Sequence, residues 1–441
     1  MPLNRLKTPA LLLLAVLMET ALIAILRIQD PARHLLPFVA WALVAALLYL
    51  IAVWVVLALP GKCGRPGWIL ILGAALIFRL TLLPLAPTLS HTFARQHWEG
   101  KVQSFNSPFN PYFFAPDNPI LVPLRGSTFS HLQRPQLAAT SPPLAELVTR
   151  WNFRISILPA GEKLLGIVFD LLLIWPLAGL LRRYGLNSDR VLIYAWAPLA
   201  VIEMAGNGSL VALALFLLLM AFYLAGEWDR FSHLALGLAI MLNLAALLLA
   251  PAWYRRIRRR HWLWLLAPVL LCSWPYLFFE RHFFLPAWGH NLAAGFKLWL
   301  AASANGGLAL LPRLFGASLQ PPARLAALAA FFAVFVWLST RNLQPPRMAK
   351  LCLAALLLLV PRLQPGVALW LLPWLAFDPD PAWLYFISGV LLAYPALVSS
   401  AYRQTAWMAW EFLPLYGLLI WGWLQRRRRN AKLSQGRSVP A

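Results

Sequence analysis

Residues 34–59 read HLLPFVAWALVAALLYLIAVWVVLAL and contain no aspartate, glutamate, lysine or arginine. An α-helix needs about 20 apolar residues to cross the hydrocarbon core of a bilayer, so this stretch is long enough to span one. Its apolar residues are continuous rather than alternating, which predicts a helix and not a strand of a barrel. Similar runs recur along the chain and predict an all-α, polytopic integral membrane protein.

The composition supports the same fold class for the whole chain. The 441 residues are 61% hydrophobic and only 12% charged, whereas soluble domains usually carry about 25% charged residues. A water-soluble fold is therefore disfavoured, and we expect membrane lipid to contact much of the surface.

The strong positive charge is explained by membrane topology rather than by nucleic-acid binding. The formal net charge is +23, and the densest basic runs lie at residues 255–260 and 426–429, each beside a hydrophobic segment. Lysine and arginine accumulate in this way at the cytoplasmic ends of membrane helices. No recognition motif accompanies either run, so we predict no nucleic-acid partner and expect contact with anionic lipid headgroups.

The sequence lacks the patterns that bind metals or nucleotides or that form disulfides. Cys63, Cys272 and Cys352 are far apart and form no Cys-x-x-Cys pair. Walker, HExxH and GxSxG motifs are also absent. The run Asp378-Pro379-Asp380-Pro381 is better explained as a rigid turn than as a metal site. We therefore expect no cofactor and no metal ligands.

Hydropathy and charge together predict three parts. A two-helix extension covers residues 1–67, the main transmembrane domain covers 68–424 with a long outer loop at 87–160, and a basic cytoplasmic tail covers 425–441. Because basic residues flank the first and last spans, both termini are placed in the cytoplasm of a cell whose inner (plasma) membrane holds the protein. About twelve spans are predicted, at 9–27, 34–59, 68–86, 161–181, 190–206, 209–226, 262–279, 322–339, 350–361, 367–377, 382–399 and 407–424.

Residues 231–253 do not fit a single span. If they crossed the membrane once, the basic run at 255–260 would lie outside, against the positive-inside rule. Two short half-helices that turn near Asn243 would return the chain to the cytoplasmic side. We therefore predict a re-entrant pair, which is tolerated where protein covers its backbone.

Four short motifs follow one another in the outer loop: Leu89-Ser90-His91-Thr92, Trp98-Glu99-Gly100, Asn110-Pro111-Tyr112 and Ser141-Pro142-Pro143. Matching positions continue at Lys163, Asp170, Glu203, Trp288, Asn291 and Pro365. In order and spacing these motifs resemble bacterial GT-C membrane glycosyltransferases of the mannosyltransferase type. The resemblance covers about residues 68–424 and implies a GT-C-like helical bundle with a long first outer loop.

The resemblance also implies a function. Enzymes of this type take a hexosyl group from a polyprenyl-phosphate sugar and transfer it on the extracytoplasmic face of the membrane. A carboxylate serves as general base for the acceptor hydroxyl, and cationic side chains stabilise the leaving phosphate. The implied partner is therefore a polyprenyl-phosphate-linked sugar.

The sequence departs from the family pattern in its polar site. The family's Asp-Asp pair falls on His91-Thr92, and its Gly-His-Asn-Asp turn reads Gly208-Ser209-Leu210-Val211. Further family side chains are replaced at Ser141, near Asn243 and at Pro365-Gly366-Val367. Two alternatives to an active glycosyltransferase therefore remain open. One is a catalytically silent protein that binds lipid-linked sugar or a partner membrane protein, and the other is a transporter or flippase.

Two residues are candidates for the missing base. His91 could accept a proton near neutral pH, although the favoured interpretation is an interfacial polar residue of the loop. Glu99 keeps the carboxylate of the family's Trp-Asp-Gly motif, and on a helix it would face the same side as His91. The alternative for Glu99 is a structural ion pair with Arg95, four residues earlier.

Cationic and aromatic side chains are candidates for binding the ligand. Arg95 is the best phosphate-binding candidate, with snorkelling to the membrane surface as its alternative. Arg134 and Lys163 are expected on the same outer side. Trp98 and Trp288 are the tryptophans proposed to contact a sugar or lipid.

Charged residues inside predicted spans form the last group of candidates. Asp170 and Glu203 are intramembrane acids, which are costly to bury and are commonly functional or paired. Arg79 lies in the third span under the same constraint. For the two acids the sequence leaves open a role in the site or a buried ion pair that orders the bundle.

Overall fold

The computed structural model describes residues 4–105, 109–156, 158–254, 261–279, 282–301, 306–316, 321–360, 363–395 and 404–435. Within these residues the fold is all-α, as predicted. One short antiparallel hairpin interrupts the helices, with Phe278 opposite Phe283 and Phe279 opposite His282. Its strands are β1 (Phe278–Phe279) and β2 (His282–Phe283).

Helices of eight or more residues provide the framework. In the first half of the chain they are α1 (Asn4–Arg27), α2 (Leu35–Ala58), α3 (Gly64–Leu82), α4 (His91–Ser104), α5 (Pro143–Ile155), α6 (Pro159–Leu172), α7 (Ile174–Arg183) and α8 (Val211–Leu224). In the second half they are α9 (Asp229–Leu242), α10 (Trp262–Ser273), α11 (Phe284–Ala301), α12 (Gly307–Leu314), α13 (Pro321–Thr340), α14 (Pro345–Leu359), α15 (Pro381–Gly389) and α16 (Gln404–Gln435).

Short helical turns connect this framework. Four-to-five-residue α-helical turns lie at Leu192–Ala195, Pro198–Val201, Ala250–Tyr254, Pro365–Ala368 and Leu372–Leu375. Turns of the 3₁₀ type lie at Pro119–Leu124, Ser127–His131, Ser188–Val191, Leu244–Leu249, Trp274–Tyr276 and Val390–Ala393. A π-helical turn covers Ile202–Gly206.

Five helices are long and apolar enough to cross a membrane. They are Leu6–Arg27, Leu35–Ala58, Gly64–Leu82, Pro159–Arg183, in which α6 continues into α7, and Pro321–Thr340. Shorter apolar helices lie at Val211–Leu224, Leu244–Tyr254, Trp262–Tyr276 and Pro381–Ala393. The prediction of about twelve spanning helices is therefore wrong as a count of full-length spans in the described part of the chain.

Proline explains two of the missing spans. The predicted span 190–206 is divided by Pro198, and the predicted span 367–377 is divided near Pro373. Proline has no backbone N–H and its ring clashes with the preceding turn, so a continuous helix cannot pass through it easily. Both segments are instead series of short turns whose residues are almost all buried.

Side chains of the surrounding helices hold these irregular segments in place. The Tyr49 hydroxyl donates to the Ile193 carbonyl at 2.7 Å, and the Trp196 indole N–H donates to the Ile71 carbonyl at 3.0 Å. A buried peptide carbonyl without a partner is costly, so such contacts make short turns tolerable in the core.

Charged side chains also join distant parts of the bundle. Arg79 in α3 pairs with Asp170 in α6 at 2.5 Å, and both side chains are inaccessible to solvent. Lys7 in α1 pairs with Asp189 at 3.3 Å, and these side chains are likewise inaccessible. Of the two readings of Asp170, the structure therefore supports the buried ion pair.

Apolar side chains cover the outer surface of the N-terminal helices. α1 packs against α2 and α3, yet each of these helices also carries large apolar side chains that are more than half exposed. They include Leu12, Leu13, Trp54, Ile69 and Ile77. An exposed apolar surface of this kind fits a lipid environment.

The helix is interrupted at Asn243, where the sequence predicted a turn. α9 ends at Leu242, and the Asn243 side chain accepts a hydrogen bond at 2.9 Å from the backbone N–H of Ala245. Asn243 has extended backbone angles, so the 3₁₀ turn that follows starts in a new direction. The structure thus places one helical segment on each side of Asn243.

The outer loop is compact and helical rather than extended. α4 packs against α5, and α5 also contacts α9 and α10. Gly100 permits the close approach of α4 and α5, since a Cβ atom there would lie 2.5 Å from the Thr149 carbonyl oxygen. The sequence did not predict α11, which lies between the predicted spans 262–279 and 322–339.

Candidate functional site

A cavity of about 610 Å³ opens between the outer loop and the helical bundle. Three elements supply most of its polar wall: α4, the connection around Arg134, and the turn that contains Glu203. The rest of the wall is largely apolar. Its apolar side chains include Leu210, Val211, Leu242, Leu244, Leu356 and Trp370. A cavity of this size is in the range that holds a small molecule or part of a lipid.

Five of the predicted site residues line this cavity: His91, Arg95, Glu99, Arg134 and Glu203. They are distant in sequence, so only the tertiary fold brings them together. The other predicted residues, Lys163, Asp170, Trp98 and Trp288, are not among the residues that line it.

Helix α4 supplies three of these five side chains. Ser90 begins the helix, and its hydroxyl accepts a hydrogen bond at 3.2 Å from the Phe93 backbone N–H. Residues four apart lie on one side of a helix, which places His91, Arg95 and Glu99 along the same face. The predicted common orientation of His91 and Glu99 is consistent with this arrangement.

The side chain of Arg95 connects the helix to the rest of the loop. Its Nε atom pairs with Glu99 Oε1, and its NH2 group donates to the Leu137 carbonyl at 2.8 Å. The Arg95–Glu99 pair is the one that the spacing of four residues suggested. Because Arg95 is only half-buried and lines the cavity, it can also meet an anionic ligand.

His91 is held less tightly. Its Nδ1 atom lies 3.2 Å from the His131 carbonyl oxygen, which favours a proton on Nδ1 and leaves Nε2 as the acceptor. The neighbouring Thr92 is exposed. A neutral imidazole in this position can accept a proton, and the ring is partly accessible from solvent.

Glu146 is an acid close to the cavity, although not one of its lining residues, that the sequence did not predict. It is fully buried in α5 and lies against Glu99. Gln103 donates to its Oε2 atom at 2.9 Å and accepts a hydrogen bond at 2.7 Å from the Tyr276 hydroxyl. The only sequence signal was the spacing of Glu146, Thr149 and Asn152, which places three polar residues on one face of the helix.

The surroundings of Glu146 favour its protonated form. Oε1 is buried and has no donor within hydrogen-bonding distance among the described residues. Burial raises the pKa of Glu146 well above its usual value, the adjacent Glu99 carboxylate raises it further, and Arg95 opposes the shift more weakly. Two carboxyl groups in contact are stable when one of them is protonated, so we assign the proton to Glu146.

The substitution Glu146→Gln is expected to remove a pH dependence of stability. Because the pKa is raised in the folded state, the native protein retains a proton that the unfolded chain releases above about pH 4.5. Stability should therefore fall as the pH rises from that value toward the raised pKa. Glutamine stays neutral, so the variant should have a flatter profile of Tm against pH and a higher Tm than the parent at about pH 8.

The control for this measurement is Glu227→Gln, which changes an exposed carboxylate paired with Arg183. That variant should keep the pH profile of the parent. Parallel profiles for the parent and the Glu146→Gln variant would contradict the assignment of the proton.

Glu203 contributes a carboxylate from the bundle side of the cavity. It lies in the π-helical turn Ile202–Gly206, and its Oε1 atom accepts hydrogen bonds from Asn207 at 2.9 Å and from the Tyr394 hydroxyl. Widened turns of this kind are rare and often occur at functional sites. Packing within the bundle does not explain why an acid occupies position 203, because the Glu203 side chain lines an open cavity.

The remaining predicted residues have structural contacts. Trp98 packs against Phe129 in a buried apolar cluster, and the Trp288 indole N–H donates to the Thr140 carbonyl at 3.1 Å. Lys163 is buried, with its Nζ atom donating to the Leu83 and Leu85 carbonyls. These three residues support the loop that carries the cavity wall.

Arg134 both makes a structural contact and lines the cavity. Its backbone has a φ of 57°, which is unusual for a residue other than glycine. One NH2 group donates to the Leu298 carbonyl of α11 at 3.0 Å, and the residue lines the cavity. Arg134 therefore connects the loop to α11 and adds a second cation, besides Arg95, to the cavity wall.

The two aspartates of the Asp378-Pro379-Asp380-Pro381 run have ordinary structural partners. Asp378 pairs with Lys350, and Asp380 accepts a hydrogen bond at 3.0 Å from the Ala382 backbone N–H at the start of α15. In the part of the chain that the structure describes, no group of three or more histidine, cysteine, aspartate or glutamate side chains could hold a metal ion.

Comparison with known proteins adds no relative to this description: no protein-family model matches the chain, and no curated protein matches it. The cavity is therefore the basis for a functional proposal. Its wall combines cations, carboxylates and an apolar surface, which is the chemistry needed to hold an amphipathic anion with polar substituents.

Proposed function

We propose that the chain is a GT-C-like membrane protein whose cavity binds a polyprenyl-phosphate-linked hexose and transfers the hexosyl group. The observation that carries this proposal is the convergence of Arg95, Arg134, Glu99 and Glu203 beside an apolar wall in one cavity. In this proposal the five long apolar helices lie in the inner membrane, and shorter apolar helices complete an even number of crossings. Both termini are then cytoplasmic, and the cavity faces the extracytoplasmic side. The segments on either side of Asn243 would form the re-entrant pair.

The chemistry assigns a role to each part of the cavity. Arg95 and Arg134 would bind the phosphate and stabilise the negative charge that develops when the polyprenyl phosphate leaves. The apolar residues would hold the first part of the isoprenoid chain. The acceptor hydroxyl would attack the anomeric carbon, the bond from that carbon to the phosphate oxygen would break, and His91 or Glu99 would take the hydroxyl proton.

A second candidate function is binding without transfer. Its support is that Glu99 is 4% exposed and already paired with Arg95, so the carboxylate has little freedom to act as a base. A silent protein of this kind would present lipid-linked sugar, or a surface, to a partner membrane protein. It should tolerate alanine at both His91 and Thr92, whereas an active transferase should not.

The deciding experiment is a binding and turnover assay in one tube. Purified protein is mixed with synthetic polyprenyl-phosphate mannose or glucose, and both the bound lipid and any released polyprenyl phosphate are measured. Release that is lost on His91→Ala or Glu99→Gln supports transfer, and binding without release supports the silent alternative. No binding of either lipid would contradict transfer and also the binding of lipid-linked sugar without transfer.

A further inference from the structure

We infer that Glu203, Asn207 and Tyr394 form a subsite that recognises a hydroxyl group of the bound ligand. The inference rests on the proposed function, because it names the part of the cavity that distinguishes a sugar-bearing lipid from a bare polyprenyl phosphate. Its evidence is the arrangement of hydrogen bonds around one buried carboxylate.

The backbone holds Glu203 firmly in the cavity wall. In the π-helical turn, the Asn207 backbone N–H donates to the Ile202 carbonyl at 2.7 Å, and the Ser209 N–H donates to the Glu203 carbonyl at 2.9 Å. The turn leads directly into Gly208, whose φ of 69° suits glycine. Glu203 is therefore fixed by main-chain contacts and not by a neighbouring cation.

The two oxygens of Glu203 have different environments. Oε1 accepts from both Asn207 and Tyr394, and the Asn207 amide also lies 3.2 Å from the Tyr394 hydroxyl. Among the described residues, no donor is in hydrogen-bonding contact with Oε2. Glu203 is 8% exposed and lines the cavity, so Oε2 is the oxygen that remains to accept a hydrogen bond from a ligand.

Gly366 supplies the space beside that oxygen. A Cβ atom at position 366 would lie 3.3 Å from Glu203 Oε2, and Gly366 lines the same cavity. The absence of a side chain thus leaves room for a ligand atom close to the carboxylate.

The charge of the subsite selects the kind of ligand group. Among the described residues no arginine or lysine pairs with Glu203, so this subsite offers a phosphate no counter-charge, whereas a hydroxyl can donate to Oε2. The cations that suit a phosphate, Arg95 and Arg134, belong to other parts of the wall. A ligand with a phosphate at the arginines and a hydroxyl at Glu203 fits a hexose joined to a lipid phosphate.

A site built to hydrogen-bond a hydroxyl discriminates strongly against an analogue that lacks it, because its buried acceptor is then left unpaired. The parent protein should therefore bind polyprenyl-phosphate hexose more tightly than polyprenyl phosphate. In Glu203→Gln, Asn207 and Tyr394 should hold the amide oxygen in the place of Oε1, which puts a nitrogen that cannot accept in the place of Oε2. The substitution should therefore weaken binding of the hexose lipid by roughly tenfold or more. Binding of polyprenyl phosphate should be unchanged.

The test measures the affinity of both lipids for the parent and for three variants. Gly366→Ala keeps the carboxylate but fills the space beside Oε2. It should therefore also lower the affinity for the hexose lipid and leave the affinity for polyprenyl phosphate unchanged. Glu227→Gln is the matched control, because it makes the same chemical change at a side chain that is 68% exposed and remote from the cavity. If Glu203→Gln does not fold, as judged by its thermal unfolding, Gly366→Ala carries the comparison.

Each outcome decides between the subsite and the proposed function. Selective weakening of the hexose lipid supports the subsite. Equal affinity of the parent for the two lipids, or equal weakening of both by the variants, overturns the subsite and leaves the lipid-phosphate function standing. If the parent binds neither lipid, the proposed function fails and the subsite fails with it.

Discussion

Replacing Asp170 with asparagine is expected to lower the free energy of unfolding by about 3–5 kcal/mol, because it leaves the Arg79 guanidinium buried without a counter-charge. Arg79 and Asp170 are both inaccessible to solvent and their Nε and Oδ2 atoms are 2.5 Å apart. The same carboxylate also accepts a hydrogen bond from the Tyr194 hydroxyl. The loss should appear as a lower Tm of the detergent-solubilised protein.

Two controls identify the cause of that loss. Glu227→Gln breaks the exposed pair with Arg183 and should change stability by no more than about 1 kcal/mol. Replacing both Arg79 and Asp170 with leucine removes the two charges together, so it should recover much of what the single substitution loses. A double variant that is less stable than Asp170→Asn would contradict the ion-pair explanation.

The second large effect is expected at Arg95. Arg95→Gln removes the cation that we assign to the lipid phosphate, and charge-assisted hydrogen bonds contribute about 1.5–3 kcal/mol each. Affinity for polyprenyl-phosphate hexose should therefore fall by roughly tenfold to a hundredfold, and affinity for polyprenyl phosphate should fall to the same extent. Weaker binding of both lipids distinguishes a change at Arg95 from a change at Glu203, which should weaken binding of the hexose lipid only.

Arg154→Gln is the matched control for Arg95→Gln. Arg154 is exposed on α5 in the same outer loop, and its guanidinium lies over the Trp151 ring instead of lining the cavity. The control should bind both lipids like the parent. Similar affinities for the two arginine variants would show that Arg95 does not contact the phosphate.

The contacts that sequence reasoning predicted are local ones. Arg95 and Glu99 are four residues apart on a helix, so backbone geometry alone brings them together. The break at Asn243 was likewise expected from the charge rule and from the sequence around that residue. Proline has a local effect too, yet hydropathy predicts continuous spans at 190–206 and 367–377 because it does not register the breaks at Pro198 and near Pro373.

The contacts that it did not predict are long-range ones. Glu99 meets Glu146 only because α4 and α5 pack closely at Gly100. Tyr394 reaches Glu203 across 191 residues of chain. The positions of these pairs depend on how the helices are arranged, and hydropathy contains no information about that arrangement.

By itself, the sequence determined that this protein is helical and rich in membrane-compatible apolar segments, because continuous apolar runs satisfy their backbone hydrogen bonds only as helices in lipid. It also determined which charged and aromatic residues were candidates for a site. Only the tertiary structure decided that His91, Arg95, Glu99, Arg134 and Glu203 share one cavity while Trp98, Lys163, Asp170 and Trp288 are engaged elsewhere. The reason is physical: side-chain chemistry belongs to each residue, whereas the distances between remote side chains are set by helix packing.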